Sequence, residues 1–208
     1  MDQLLIFAKG LGVGLAIAAP VGPIGLLCIQ RTLRQGALIG LASGLGAACA
    51  DAVYGGIAGF GLTSVADLLI DLQDELRIVG GIFLLLLGAR IILRTGPAEA
   101  PPAAAAQAPM AGAFGSCFVL TLTNPTTILS FVAVFAGLGL VGDAATYGAA
   151  VSLVIGVFLG SAAWWLTLST SVGLLRGRMT AASLRWINWI SGAAIAGFGV
   201  AALTVVAL

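Results

Sequence analysis

The chain of 208 residues is 60% hydrophobic and 8% charged, with a formal net charge of +1, no histidine and a mean hydropathy of +1.14. That balance excludes a soluble core-and-surface domain and a basic nucleic-acid-binding face, and it leaves a histidine-based zinc centre without ligands. What remains is an all-α integral membrane protein, in which apolar runs of about 20 residues, enough to cross a bilayer, can be drawn six times. They cover roughly 4–30, 37–61, 77–94, 112–140, 146–172 and 187–207.

The first run opens with Met1-Asp2-Gln3. It lacks the positive n-region of a signal peptide and is too long for an h-region, so it is expected to be a spanning helix despite the cleavage-site look of Ala16-Ile17-Ala18. Within it, Pro20, Gly22, Pro23 and Gly25 crowd into a few residues. Proline removes a helix hydrogen bond and clashes with the preceding turn, so the helix is expected to break at Gly22-Pro23. The break leaves open N–H groups near Ile24 and Gly25, with the partial positive charge of a helix start, suited to an anion.

The second run carries Gly40, Gly44, Ala48, Ala52 and Gly56 at four-residue spacing, a smooth face for helix packing. It also carries Asp51 on a stretch with no other charge. An ionised carboxylate there costs on the order of 3 kcal/mol unless paired or solvated, and intramembrane acids usually mark a pathway. Counted from the Gln35-Gly36 turn, Pro23 lies about 18 Å back along one helix and Asp51 about 24 Å along the next, so the two share a depth. Asp51 is the expected coupling residue, taking a proton, a sodium ion or a substrate ammonium. The plainer alternative is a protonated acid bonded to a neighbouring carbonyl. Tyr54, one turn on, is a possible lining residue of the same pathway.

After the third run, residues 95–111 hold four of the seven prolines and read as an extended linker. It divides the chain into a first three-helix unit, 1–94, and a second, 112–208. The fourth run repeats the motif of the first: Asn124-Pro125 aligns with Gly22-Pro23, and spans two and three then align with five and six. Because three is odd, the second unit inserts upside down, which is the pattern of an inverted-repeat transporter with its substrate held between discontinuous helices near the midplane. The expected substrate site is therefore Gly22, Pro23, Ile24 and Gly25 facing Asn124, Pro125, Thr126 and Thr127, the two breaks together cradling a carboxylate. Thr121 and Thr123 add polar lining that could bind substrate or satisfy open backbone. In the fifth run Gly156 and Gly160 form a packing stripe, Trp164 and Trp165 lie deeper as possible gates, with Trp164 also a possible lining residue, and Trp186 and Trp189, beside Arg185, read as interfacial anchors.

The connections after spans one, three and five hold Arg31, Arg34, Arg90, Arg94, Arg176, Arg178 and Arg185, while the other side has only Lys9 and Arg77 among acidic residues. The positive-inside rule then puts both termini outside the cytoplasm, in a bacterial inner membrane. Cys28, Cys49 and Cys117 sit in apolar runs without CxxC spacing, which argues against structural disulfides or a metal site.

Gly22–Gly36 (GPIGLLCIQRTLRQG), Gly44–Gly55 (GLGAACADAVYG), Gly80–Arg90 (GGIFLLLLGAR), Leu122–Pro125 (LTNP) and Gly192–Gly199 (GAAIAGFG) together resemble the lysine-exporter (LysE) family of amino-acid exporters, collinearly over nearly the whole chain outside the linker. The resemblance implies a six-helix secondary carrier, not an enzyme, that exports amino acids or similar metabolites as a homodimer without a cofactor. Two departures bear on substrate: the family commonly has lysine after Asn-Pro and a later Pro-Gln-Phe, where this chain has Thr126 and Phe135-Ala136-Gly137-Leu138. Two other functions stay open. Related superfamily members are thiol–disulfide relays with one cysteine on helix one and one on helix four, but Cys28 and Cys117 are not repeat-equivalent, and exchange needs direct attack of sulfur on sulfur. A passive solute channel could use the same fold.

Overall fold

The computed structural model describes residues 3–20, 22–60, 68, 71–93, 110–124, 127–128, 130–131, 134, 147–177 and 180–206. Pro125, Thr126 and linker residues 95–109 lie outside them. The helices are α1 (Gln3–Ala18), α2 (Pro23–Gln35), α3 (Ala37–Gly59), α4 (Gln73–Leu93), α5 (Met110–Leu122), α6 (Tyr147–Arg176) and α7 (Ala181–Val206). Among the described residues α3, α4, α6 and residues 185–205 of α7 are long and apolar enough to cross a membrane, and the α1–α2 pair makes a fifth candidate span.

The first span is two helices bent by 77°. α1 stops at Ala18, two residues before Pro20, because a proline disfavours helical backbone before it. α2 restarts with Pro23 in its first turn, where the missing N–H costs nothing and the fixed φ suits a helix. Gly36 then joins α2 to α3 with φ +103°, a conformation that strains any residue with a Cβ. The fourth expected span is also interrupted. Its first piece, α5, has 13 residues, and helical backbone resumes at Thr127, Ile128, Ser130, Phe131 and Val134.

Two boundaries differ from expectation. α5 starts at Met110, so the last two residues of the expected linker are helical. α4 starts at Gln73 rather than 77, taking Asp74 and Glu75 into its first turn, where carboxylates complement the helix dipole.

The main helix pairs are α1 with α6, α3 with α5, α3 with α6, and α4 with α7, while α2 packs on α3, α6 and α7. Glycines set the closest of these. A Cβ on Gly14 would stand 2.8 Å from the Val157 carbonyl carbon, one on Gly156 2.9 Å from Leu11 N, one on Gly88 2.6 Å from Ala196 N, and one on Gly199 2.7 Å from Gly81 O. Backbone meets backbone at these places, as small residues allow when lipid supplies no hydrophobic drive between helices. On α3 the expected stripe packs against side chains, Gly40 on Thr32 and Gly44 on Trp165, while the close approach to α5 falls on Gly46, off the stripe, against Phe114. The outward faces of α4 and α7 expose Phe83, Leu86, Trp186, Trp189 and Ile190, an apolar surface suited to lipid.

Candidate functional site

A cavity of about 700 Å³ opens between the two helix breaks. Gly22, Pro23, Ile24 and Gly25 line it from the first break, Thr121, Thr123, Asn124 and Thr127 from the second, and Asp51 from α3. The depth match counted along the chain is thus met by a shared space of a size that suits a small metabolite. Its walls are otherwise mostly apolar, from Ala47, Leu84, Leu120 and Trp165.

At the first break the Gly22 carbonyl accepts from Leu26 N–H at 3.0 Å, and Gly22 has no side chain to cap the N–H groups that follow. The donors of Ile24 and Gly25 therefore start a helix at the cavity wall. The second break is different. The Asn124 carbonyl accepts from the N–H of Thr127 at 3.0 Å and of Ile128 at 3.2 Å, so the expected open donor at Thr127 is spent on the chain itself. Thr121 and Thr123 donate their hydroxyl protons back to the carbonyls of Cys117 at 2.8 Å and Val119 at 2.9 Å. This back-bonding leaves oxygen lone pairs, rather than protons, for a ligand.

Asp51 is 3% exposed. Ser161 Oγ donates to its Oδ2 at 2.7 Å, and Trp165 Nε1 donates to Ser161 Oγ at 3.1 Å. The acid is thus held through a serine by an indole. Ser161 was missed in the sequence, and Trp165, read there only as a possible gate, stands four residues on along the same face of α6; that spacing was the available signal. Arg77 was missed too. It looks like a loop residue, but in α4 its side chain reaches the cavity while donating to Asp74 at 3.0 Å, so the site holds a cation as well as an acid.

Two expected lining residues do not line the cavity. Tyr54 donates its hydroxyl to the Leu122 carbonyl at 2.6 Å and sets its ring 5.4 Å from that of Phe131; it satisfies a carbonyl freed where α5 ends. Trp164 packs at the edge of the core, and its neighbour Trp165 takes the place in the cavity, since one residue turns a helix by about 100°.

One turn beyond the cavity, toward Gln35 on α2 and Met110 on α5, a second polar cluster joins the helices. Arg31 Nη1 donates to Ser43 Oγ and to the Ala113 carbonyl, both at 2.9 Å, and Nη2 donates to Ser116 Oγ at 2.8 Å. The same Nη1 lies 3.6 Å from Cys117 Sγ. Cys28 and Cys117 are each fully buried in one core cluster.

The amino-acid sequence is similar to those of known membrane and efflux proteins. The chain is 29% identical over 206 residues to the uncharacterized membrane protein YahN of Escherichia coli K12, covering 92% of this chain and 90% of that one. It is 28% identical over 171 residues to the threonine efflux protein of the same strain, covering 80% and 81%. It is 24% identical over 196 residues to the putative amino acid efflux protein YcgF of Bacillus subtilis, covering 93% of each. No solved structure gives a significant match. The LysE type translocator family matches residues 15–205, and a match over that much of the sequence makes this chain a member of that family.

Proposed function

We propose that the protein is an alternating-access carrier that exports amino acids across a bacterial inner membrane, driven by the proton gradient. The observation that carries this reading is the cavity itself, where both helix breaks and the buried Asp51 come together. The substrate carboxylate sits at the N–H groups of Ile24 and Gly25 with Arg77 nearby, and Asp51 receives the ammonium group or the coupling proton. Mostly apolar walls suit a neutral amino acid, in keeping with the threonine named for one relative. Pro125 and Thr126 complete the second half of the proposed site, and the homodimer implied by the resemblance belongs to the same reading.

The helix pairing supports the inverted repeat. Exchanging span one with four, two with five and three with six carries the α1–α6 pair onto the α5–α3 pair, and it returns the α3–α6 and α4–α7 pairs to themselves. All four pairs are consistent with the exchange that an internal two-fold would make. The shared placement of the arginine-rich connections has support as well, since Arg176 Nη2 donates to the Arg34 carbonyl at 3.2 Å, joining the ends of α2 and α6.

The test is flux in liposomes with labelled threonine, leucine and their methyl esters, with and without an imposed proton gradient. Saturable, gradient-driven uptake of the acids and rejection of the esters is the expected result. Equal flux of acid and ester would remove the carboxylate cradle, and flux that never saturates would favour a channel. Orientation is checked separately in intact cells, in a background lacking the three native cysteines. A cysteine at Ala103 should resist an impermeant thiol reagent and one at Asp71 should react; the reverse pattern would invert the topology. A thiol–disulfide relay fits poorly, because both Cys28 and Cys117 are fully buried and neither lines the cavity.

A further inference from the structure

We propose that Arg31 is both the latch that closes the arginine-rich end of the cavity and the first binding site for the carboxylate of a substrate arriving from that end. The consequence for export rests on the carrier reading above; the latch itself does not.

From the helix breaks the cavity extends along α4 and α7 to Arg77 and Val205. Toward the opposite end, nothing past Gly25 on α2 or before Leu120 on α5 lines it among the described residues. The Arg31 cluster stands at that closed end. Its hydrogen bonds tie α2 to α3 through Ser43 and to α5 through Ala113 and Ser116, while α2 and α5 otherwise touch only sparsely. Arg31 lies in the first of the two proposed repeats and Ala113 and Ser116 in the second, so these bonds cross the boundary that alternating access has to open.

Every acceptor in the cluster is neutral. Ser43 spends its hydroxyl proton on the Ile39 carbonyl at 3.0 Å and Ser116 on the Ala113 carbonyl at 3.1 Å, so both serines meet Arg31 as acceptors. A carbonyl and a thiol complete the set, and among the described residues no carboxylate joins it. Headgroup anchoring does not account for this arginine, because its guanidinium is bonded between helices, whereas Arg34, three residues on, is exposed. A permanent tie needs no charge either, since a neutral donor avoids the cost of holding a cation among apolar helices. A guanidinium on neutral acceptors is open to exchange: a carboxylate takes two parallel N–H groups, each in a bond roughly twice as strong as a neutral one. The arriving carboxylate draws Nη1 and Nη2 away from Ala113 and Ser116, so gaining the substrate and releasing α5 are one event. The substrate then has about 10 Å to travel, two turns of α2, to the N–H groups of Ile24 and Gly25.

The experiment pairs amide exchange over 110–122 with threonine and leucine flux measured separately in inverted and right-side-out membrane vesicles, using the full chain. Arg31→Met should speed exchange with no ligand present. In wild type, threonine or leucine should speed it and the methyl esters should not; in Arg31→Met neither acid should add anything. The half-saturating amino-acid concentration should rise about tenfold or more in the vesicles that present the arginine-rich end, the loss expected for one charged hydrogen-bonding partner, and stay unchanged in the others. Arg31→Lys, which keeps the charge without the planar fork, should lie between wild type and Arg31→Met. Unchanged exchange in Arg31→Met would overturn the latch. Wild-type exchange that responds to neither acid, or a half-saturation that shifts equally in both kinds of vesicle, would overturn the carboxylate site. If the exchange responses appear but neither amino acid crosses the membrane, the Arg31 site stands and the carrier reading falls.

Discussion

Asp51→Asn is expected to abolish accumulation of substrate against its gradient, bringing the inside-to-outside ratio to about one, while exchange between equal pools continues. Asparagine keeps the size of the side chain and still accepts from Ser161, so the Trp165–Ser161 support stays in place. What it loses is the exchange between a neutral, protonated acid and a charged one paired with a cation. A carboxylate with 3% exposure must hold one or the other, because a bare charge at that depth costs on the order of 3 kcal/mol. Export coupled to protons needs both forms in one cycle, one for each side of the membrane. Exchange does not, because the loaded carrier returns loaded. An Asp51→Asn variant that concentrates threonine at the wild-type rate in liposomes would end the assignment and leave Asp51 as a structural acid.

The second large effect concerns folding. Gly14→Ala should destabilise the protein by about 1–3 kcal/mol, the usual cost of forcing atoms into a packed contact, because its Cβ would meet the Val157 backbone at 2.8–2.9 Å. Gly12→Ala, two residues away, should do the opposite. No heavy atom lies within 4 Å of a Cβ there, and alanine favours a helix over glycine by up to about 1 kcal/mol. Thermal unfolding in detergent, followed by the fraction remaining monodisperse, separates the two variants by sign. If both shift the same way, the α1–α6 contact is not backbone to backbone.

Much of this arrangement was legible in the sequence, and the limits have physical causes. Four of the six expected spans, and the broken first one as a fifth, followed from apolar length, and the first break followed from Pro20 and Pro23, because both signals are local. The shared depth of Pro23 and Asp51 followed from helical rise counted out from one turn. Contacts across the bundle were not accessible in this way. Tyr54 and Trp164 were placed by depth alone, and depth does not say which way a side chain turns on its helix. Arg77 was counted only as a charge on the outer side at the start of the third run, whereas the carboxylates before it extend α4 by a turn and Arg77 lines the cavity.

The pairing of α4 with α7 has a mechanical consequence. Gly88 and Gly199 bring these helices together backbone to backbone, so they resist sliding past each other. α4 packs chiefly on α7, and α7 leans on the other helices chiefly through α2, where Gln30 Nε2 donates to Asn188 Oδ1 at 3.4 Å. Both helices supply wall to the cavity, through Gly81 and Leu84 on one and Phe198 and Ala202 on the other. Among the described residues α4 and α7 thus form a paired edge of the bundle, and a change at Gln30 or Asn188 alters one polar link between that edge and α2 without touching the lining of the cavity.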